Sequence, residues 1–336
     1  MSRKLITIST IMTLMSTSVI ADVPNVAADI APIHSLVSRV MDGVGAPKLI
    51  VQSGASPHGY RLRPSEAKAL QDADHVFWMG EELTPWLDSA IGTLASKASV
   101  TTLLDQQGVI LHDFREGALF EAHDHSAHGD DDHDDHDDHD DHDDHDDHDD
   151  HKDHDDHDDH DDHDDHGSHD PHAWLSPENA KLWLNIIASK LSVSDPENAA
   201  TYFMNAAAGQ AEIESMIAEV KATLKPVQGG KFVVFHDAYQ YFENDFDFYA
   251  SGAISLGDSS DPSPARIEKV QKRIRDEGIQ CVLAEPQFKK GLVATVMEGS
   301  DATASVIDPL GAELETGPKL YTRLIKNMAK TLRNCL

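Results

Sequence analysis

Residues 196–224 read PENAATYFMNAAAGQAEIESMIAEVKATL. Tyr202, Phe203, Ile213, Ile217, Val220 and Leu224 recur at helical spacing, which predicts one helix of nearly 30 residues. Gly209 weakens such a helix by about 1 kcal/mol without ending it. Pro226 and the pair Gly229-Gly230 end it. Shorter apolar runs and helical patterns alternate on both sides, so this helix reads as a connector.

On the amino-terminal side, Val26–Ile30, Leu49–Gln52, His75–Met79 and Val100–Leu103 read as strands. Pro32–Val44, Pro64–Leu70, Leu83–Leu94 and Pro177–Leu191 read as helices, with Pro64 suited to a first turn. On the carboxyl side, Lys231–Phe235, Phe248–Ile254, Cys281–Ala284 and Ser305–Ile307 are expected strands. Asp237–Asn244, Pro264–Glu277, Lys290–Glu298 and Pro318–Leu332 are expected helices. Alternation of this kind predicts parallel strands covered by helices. The expected fold class is therefore α/β, with two lobes, each a mostly parallel sheet, joined by one long rigid helix. Ligands of open parallel sheets bind beyond the carboxyl ends of strands, here in a crevice between lobes.

The expected boundaries are a signal peptide at 1–21, an amino-terminal lobe at 22–122 and 170–194, a His/Asp-rich insert at 123–169, a linking helix at 195–225 and a carboxyl-terminal lobe at 226–336. Arg3 and Lys4 precede an apolar run, Leu5–Met15, and Val19-Ile20-Ala21 suits cleavage after Ala21. The run is short for a membrane anchor, which needs about 20 residues. Export to the periplasm and a soluble mature chain are expected.

The chain of 336 residues carries a formal charge of −33. The insert holds 25 Asp against one Lys, Lys152, so −24 of that charge is local and −9 is left for the rest. Such a surface attracts cations and repels nucleic acid and anionic lipid, which excludes both as partners. The insert also holds 16 histidines: His123, His125, His128, His133, His136, His139, His142, His145, His148, His151, His154, His157, His160, His163, His166 and His169. With no apolar residue able to anchor a core, it is expected to be disordered without metal. A flexible chain offers many changing sets of imidazoles and carboxylates, which predicts several weak, fast-exchanging metal sites.

Six histidines lie elsewhere, and three share a setting. His58 follows the strand ending near Gln52, His236 directly follows Val233-Val234-Phe235, and His172 lies between the insert and a helix. Neutral imidazole binds Zn²⁺ well, and three converging imidazoles form a common zinc set. Asp308, after Ser305-Val306-Ile307, is a fourth candidate. His34, His75 and His112 lack the pattern and are expected at surface or capping positions. Cys281 and Cys335 are the only cysteines. Export permits a bridge between them, and two free thiols are the alternative.

Gly54-Ala55-Ser56-Pro57-His58 with Leu62-Arg63-Pro64-Ser65, Asp170-Pro171-His172-Ala173-Trp174-Leu175-Ser176-Pro177 and Phe235-His236-Asp237-Ala238-Tyr239-Gln240-Tyr241-Phe242 occur in this order. They resemble the three metal motifs of the zinc-binding subunits of bacterial zinc ABC importers, the ZnuA type. Ala284-Glu285-Pro286-Gln287-Phe288 and Asp308-Pro309-Leu310-Gly311 match later landmarks, and the likeness runs from about Asp22 to the end. The resemblance implies Zn²⁺ ligation by His58, His172 and His236, a rigid linking helix that limits hinge opening, a Cys281–Cys335 bridge, and delivery to a membrane permease. An accessory periplasmic zinc chaperone and a monomeric state go with it. Relatives that carry Mn²⁺ tend to have a carboxylate at the third position, so His236 favours zinc. Some relatives place a carboxylate before the first histidine. Here Pro57 stands there, and the fourth ligand is Asp308 or a water, with Asp308 preferred.

Three rivals remain: a zinc enzyme, an adhesin and a pure metal buffer. The enzyme lacks a general base, since there is no His-Glu-x-x-His helix and no nucleophile elbow. Asp237 and Glu285 read as capping or structural carboxylates. The adhesin lacks a binding repeat, and the buffer would use the insert alone.

Overall fold

The structure is a computed structural model that describes residues 23–115, 120, 169–255, 257, 262–288 and 290–336. The expected signal segment and insert histidines 123–166 lie outside the described residues. Two four-stranded parallel sheets make the two lobes. The first has the order β2-β1-β3-β4, from β1 (Val26–Ala28), β2 (Lys48–Leu49), β3 (His75–Trp78) and β4 (Ser99–Thr102). The second repeats that order as β6-β5-β7-β8, from β5 (Phe232–His236), β6 (Ala253–Ser255), β7 (Cys281–Ala284) and β8 (Thr303–Val306). The central strands β1, β3 and β5 are buried at every residue, as expected where helices cover both faces of a parallel sheet.

Helices α1 (Ala31–Val40), α2 (Pro64–Gln71), α3 (Pro85–Leu94) and α4 (Pro177–Ser194) belong to the first lobe. Helices α6 (Gln240–Phe246), α7 (Pro264–Glu277), α8 (Lys290–Met297) and α9 (Leu320–Cys335) belong to the second. The connector α5 (Ala199–Leu224) is 26 residues long, about 39 Å at helical rise. Its buried residues are Tyr202, Ala206, Gly209, Ile213, Met216, Val220 and Leu224, a stripe that packs on α1 and α4 of one lobe and α9 of the other. Phe203 is not in that stripe: it is 49 % exposed. Small residues replace bulky ones where helices approach closely. A Cβ on Gly209 would stand 2.9 Å from Leu184 Cδ1 and 3.1 Å from Arg39 Cγ, so the residue that weakens the helix also lets α4 and α1 close on it.

One apolar core runs through both lobes, from Ile33 and Trp183 through Tyr202 to Phe242 and Leu324. Smaller clusters fill the outer faces, under α2 and α3 in one lobe and under α7 and α8 in the other. Polar links cross the same seam: the Trp174 indole N–H donates to Pro309 O at 2.8 Å, and Ser35 Oγ to Gly317 O at 2.8 Å.

Two expected strands are shorter than their apolar runs. β2 stops at Leu49, although the Ile50 and Val51 N–H groups still donate to Ala28 O and Asp29 O. In the run Phe248–Ile254 the strand begins only at Ala253, although the Ser251 N–H already donates to Phe232 O; Asp247 at φ 50° ends α6, and the Phe248 N–H folds back to Glu243 O. α6 begins at Gln240 rather than Asp237, since Asp237–Tyr239 form a turn in which the Ala238 N–H donates to His236 O.

Cys281, the first residue of β7, is bridged to Cys335, the last of α9, with Cα atoms 5.6 Å apart at a sequence separation of 54. The chain-entropy relation gives such a closure about 4 kcal/mol. Replacing both cysteines with alanine lowers the unfolding free energy by about that amount, measured by urea unfolding of metal-free protein.

Asp29, beyond the end of β1, is fully buried, and its oxygens accept from the Ile30 and Met79 N–H groups at 2.7 Å each. Burial pushes its carboxyl up to about 7 against those bonds. An unfolded aspartate titrates near 3.9. The native state therefore holds more protons between about 4 and 7, and stability falls as pH rises through that window and levels above it. Asp29→Asn removes this slope and costs about 1–3 kcal/mol, since one N–H loses its acceptor. Unfolding free energies of the two proteins from pH 4 to 8 test the pair.

Candidate metal centre

Three histidines from distant parts of the chain meet at one point. His58 lies on the loop between β2 and α2, and Trp86 at the start of α3 steadies that loop by donating its indole N–H to Pro57 O at 2.7 Å. His172 stands just before the 3₁₀ turn Ala173–Leu175. His236 is the last residue of β5, opposite Ser255 of β6. One ring nitrogen from each lies within 4.8 Å of the others, and among the described residues no other His, Cys, Asp or Glu side chains form such a group. His172 and His236 are buried, and His58 is half-buried.

Two buried carboxylates orient two of the rings. Asp170 Oδ1 is 2.6 Å from His172 Nδ1 and also accepts the His172 N–H at 3.0 Å. Glu285 Oε1 is 2.5 Å from His236 Nδ1, and its other oxygen accepts from Gln287 Nε2 at 2.8 Å. Each Nδ1 proton is thereby directed to a carboxylate, which leaves each Nε2 with a lone pair. Those two Nε2 atoms face each other at 3.4 Å. Zinc–nitrogen bonds of about 2.0–2.1 Å in a tetrahedron put neighbouring ligands roughly 3.3 Å apart. The pair already has the spacing of one edge of that tetrahedron, and a cation between them relieves the repulsion of two facing lone pairs. An all-imidazole group suits zinc better than calcium or magnesium, which take oxygen.

The Asp308 carboxylate is turned into its own loop. Oδ1 accepts from the Leu310 and Gly311 N–H groups at 3.0 and 2.9 Å, and Oδ2 from Ala312 at 2.6 Å. It is not part of the three-histidine group. The Tyr239 phenol is buried nearby, and burial with the charges of Glu285 and Asp308 holds it well above its usual value. Burial also pushes the Asp170 carboxyl up to about 6, against the His172 N–H and the charge of Arg115.

The other histidines divide. His34 and His75 are buried rather than at the surface. His34 Nε2 meets Pro47 O at 3.2 Å, and His75 Nε2 meets Ser194 Oγ at 2.6 Å. Burial lowers both imidazoles' proton affinity. His112 lies against the Tyr241 ring. His169, the last insert histidine, pairs with Asp113 at 2.9 Å. From sequence, Glu285 reads as structural, whereas here it holds a ring. Asp170 carries a signal in hindsight, as an acid two residues before a histidine. Arg115 carries none.

A family model described as the zinc-uptake complex component A, periplasmic, matches residues 26–335. The chain belongs to the ZnuA family. The high-affinity zinc uptake system protein ZnuA of Brucella abortus (strain 2308) is 50% identical over 311 residues, covering 93% of this chain and 91% of its own. Its namesake in Paracoccus denitrificans is 45% identical over 317 residues, covering 94% and 93%. Among solved structures, a ZnuA crystal structure superposes with a TM-score of 0.69 at 20% identity, covering 94% of this chain and 99% of that one. The laminin-binding protein of Streptococcus agalactiae gives 0.68 at 19%, covering 93% and 99%. At those identities the structural likeness speaks for the fold, and the family rests on the sequence relatives.

Asp170→Asn and Glu285→Gln each weaken Zn²⁺ binding by about 10–100-fold, the usual effect of removing a ligand's hydrogen-bonded carboxylate. Chelator-competition titration measures the loss, and circular dichroism checks that the fold persists.

Proposed function

We propose that this chain captures one Zn²⁺ between its lobes and delivers it to the permease of a bacterial zinc ABC importer. His58, His172 and His236 are the ligands, and the fourth position goes to Asp308 or a water. Ligation by Asp308 requires an oxygen to leave the backbone N–H groups of its loop. The observation that carries the reading is the meeting of three imidazole nitrogens within 4.8 Å, with Asp170 and Glu285 behind two of them. The zinc uptake proteins at 45–50% identity supply the cargo and the permease. Residues 1–21 direct export to the periplasm, and the mature chain acts as a monomer, with an accessory zinc chaperone as a further partner.

The insert is a gathering arm. The arm is proposed from composition, 16 histidines and 25 aspartates within residues 123–169. Its far end is three residues from His172, a tether that gives effective concentrations of order mM. Ions caught weakly there pass to the three-histidine site. Neither the enzyme nor the adhesin draws comparable support. An enzyme would need a general base beside the metal, and adhesion belongs to a structural neighbour at 19% identity.

Zinc stoichiometry tests the division of labour. The chain lacking residues 123–169 keeps one tight ion and loses the weak ones. Alanine at His58, His172 or His236 removes or greatly weakens the tight ion while the weak ones remain. Loss of the tight ion on deleting the insert, or its persistence in both His172→Ala and His236→Ala, sinks the reading.

A further inference from the structure

Arg115 stands at the root of the insert, on the stem that leaves the first lobe, yet its guanidinium is seated in the second. Nε is 3.0 Å from both oxygens of Asp237, and the Nη2 group is paired with the same carboxylate. Nη1 donates to Glu243 Oε2 at 2.6 Å and Nη2 to Glu243 Oε1 at 3.2 Å. The Phe120 ring covers the guanidinium at 3.6 Å. The side chains of Asp237 and Glu243 are 7% and 1% exposed, and that of Arg115 is 18%. Asp237 follows His236 directly in the chain.

The same stem also holds the other oriented histidine. His112 O accepts the Asp170 N–H at 2.8 Å. Tyr241 Oη accepts the His112 N–H at 3.1 Å and donates to Asp170 O at 2.7 Å. Gln240 Nε2 donates to Asp113 O at 3.1 Å. One short stretch, residues 112–115, thus joins the backbone of the acid behind His172 to the turn that carries His236.

We propose that Arg115 is a positioning residue for metal capture, holding the turn after His236 and the stem behind His172 in one rigid piece. A buried ion cluster of this kind seldom adds stability over apolar packing, but it fixes geometry. The guanidinium fork meets both oxygens of Asp237 and both of Glu243, a planar bidentate fit that a lysine ammonium, a compact point charge, does not reproduce. The role makes zinc affinity depend on where the insert's root is docked. It rests on the three-histidine reading above and deepens it.

The test uses the chain lacking residues 1–21, with Arg115→Lys and with the all-neutral triple variant Arg115→Met, Asp237→Asn, Glu243→Gln. Zn²⁺ affinity is read by chelator competition, ligand geometry by the visible absorption of the Co²⁺ complex, and folding by the apo-protein melting midpoint. Both variants are expected to hold one tight ion 10–100-fold more weakly, with an altered Co²⁺ band. Unchanged Zn²⁺ affinity and an unchanged Co²⁺ band in either folded variant overturn the role, whatever happens to the melting midpoint. His236→Ala is the control: a tight ion retained there defeats the three-histidine site itself, and Arg115's role with it.

Discussion

Two imidazole nitrogens held face to face at 3.4 Å are the constraint around which the molecule is arranged. Such a contact between lone pairs is unfavourable alone. It persists because each ring is committed on its far side to a buried carboxylate, Asp170 or Glu285, and because the backbone behind each is fixed. β5 supplies one fixed backbone and the 3₁₀ turn leading into α4 the other. The helices α4 and α9 against α5, with the core running between lobes, keep the two at a constant distance.

The burial of so many acids around the pair has an electrostatic logic. Asp170, Asp237, Glu243 and Glu285 are all buried within one region, and Arg115 answers two of them directly. Burial raises the carboxyls of Asp237 and Glu243, and the guanidinium opposes that rise. An arriving dication enters a place already rich in negative charge and poor in water, where its attraction to its surroundings is least screened.

Much of this was legible beforehand. The rhythm of strands and helices gave the two parallel sheets, and the apolar spacing of residues 196–224 gave the connector, because both patterns are local. His58, His172 and His236 stood out because each follows a strand or opens a helix. Illegible were the features that depend on distant parts of the chain meeting. Phe203 has the spacing of a core residue, yet it faces solvent while Ala206 and Gly209 take the packed side. His34 lies in an expected helix and His75 opens an expected strand, with nothing local to mark either as buried, and only the packing of distant segments shows that they are. Arg115 precedes a low-complexity run and is separated by 122 residues from the aspartate it meets.

The three histidines are unequally sheltered. His172 and His236 are sealed behind the core, at 5% and 3% exposure, whereas His58 rides a loop that is only half-buried. Two of the three rings are thus shut away from solvent, and the third borders it. The half-buried ring marks the side on which the group meets solvent, while the other two lie against an apolar interior that both lobes share. A group of this shape has a sealed back and one wet edge.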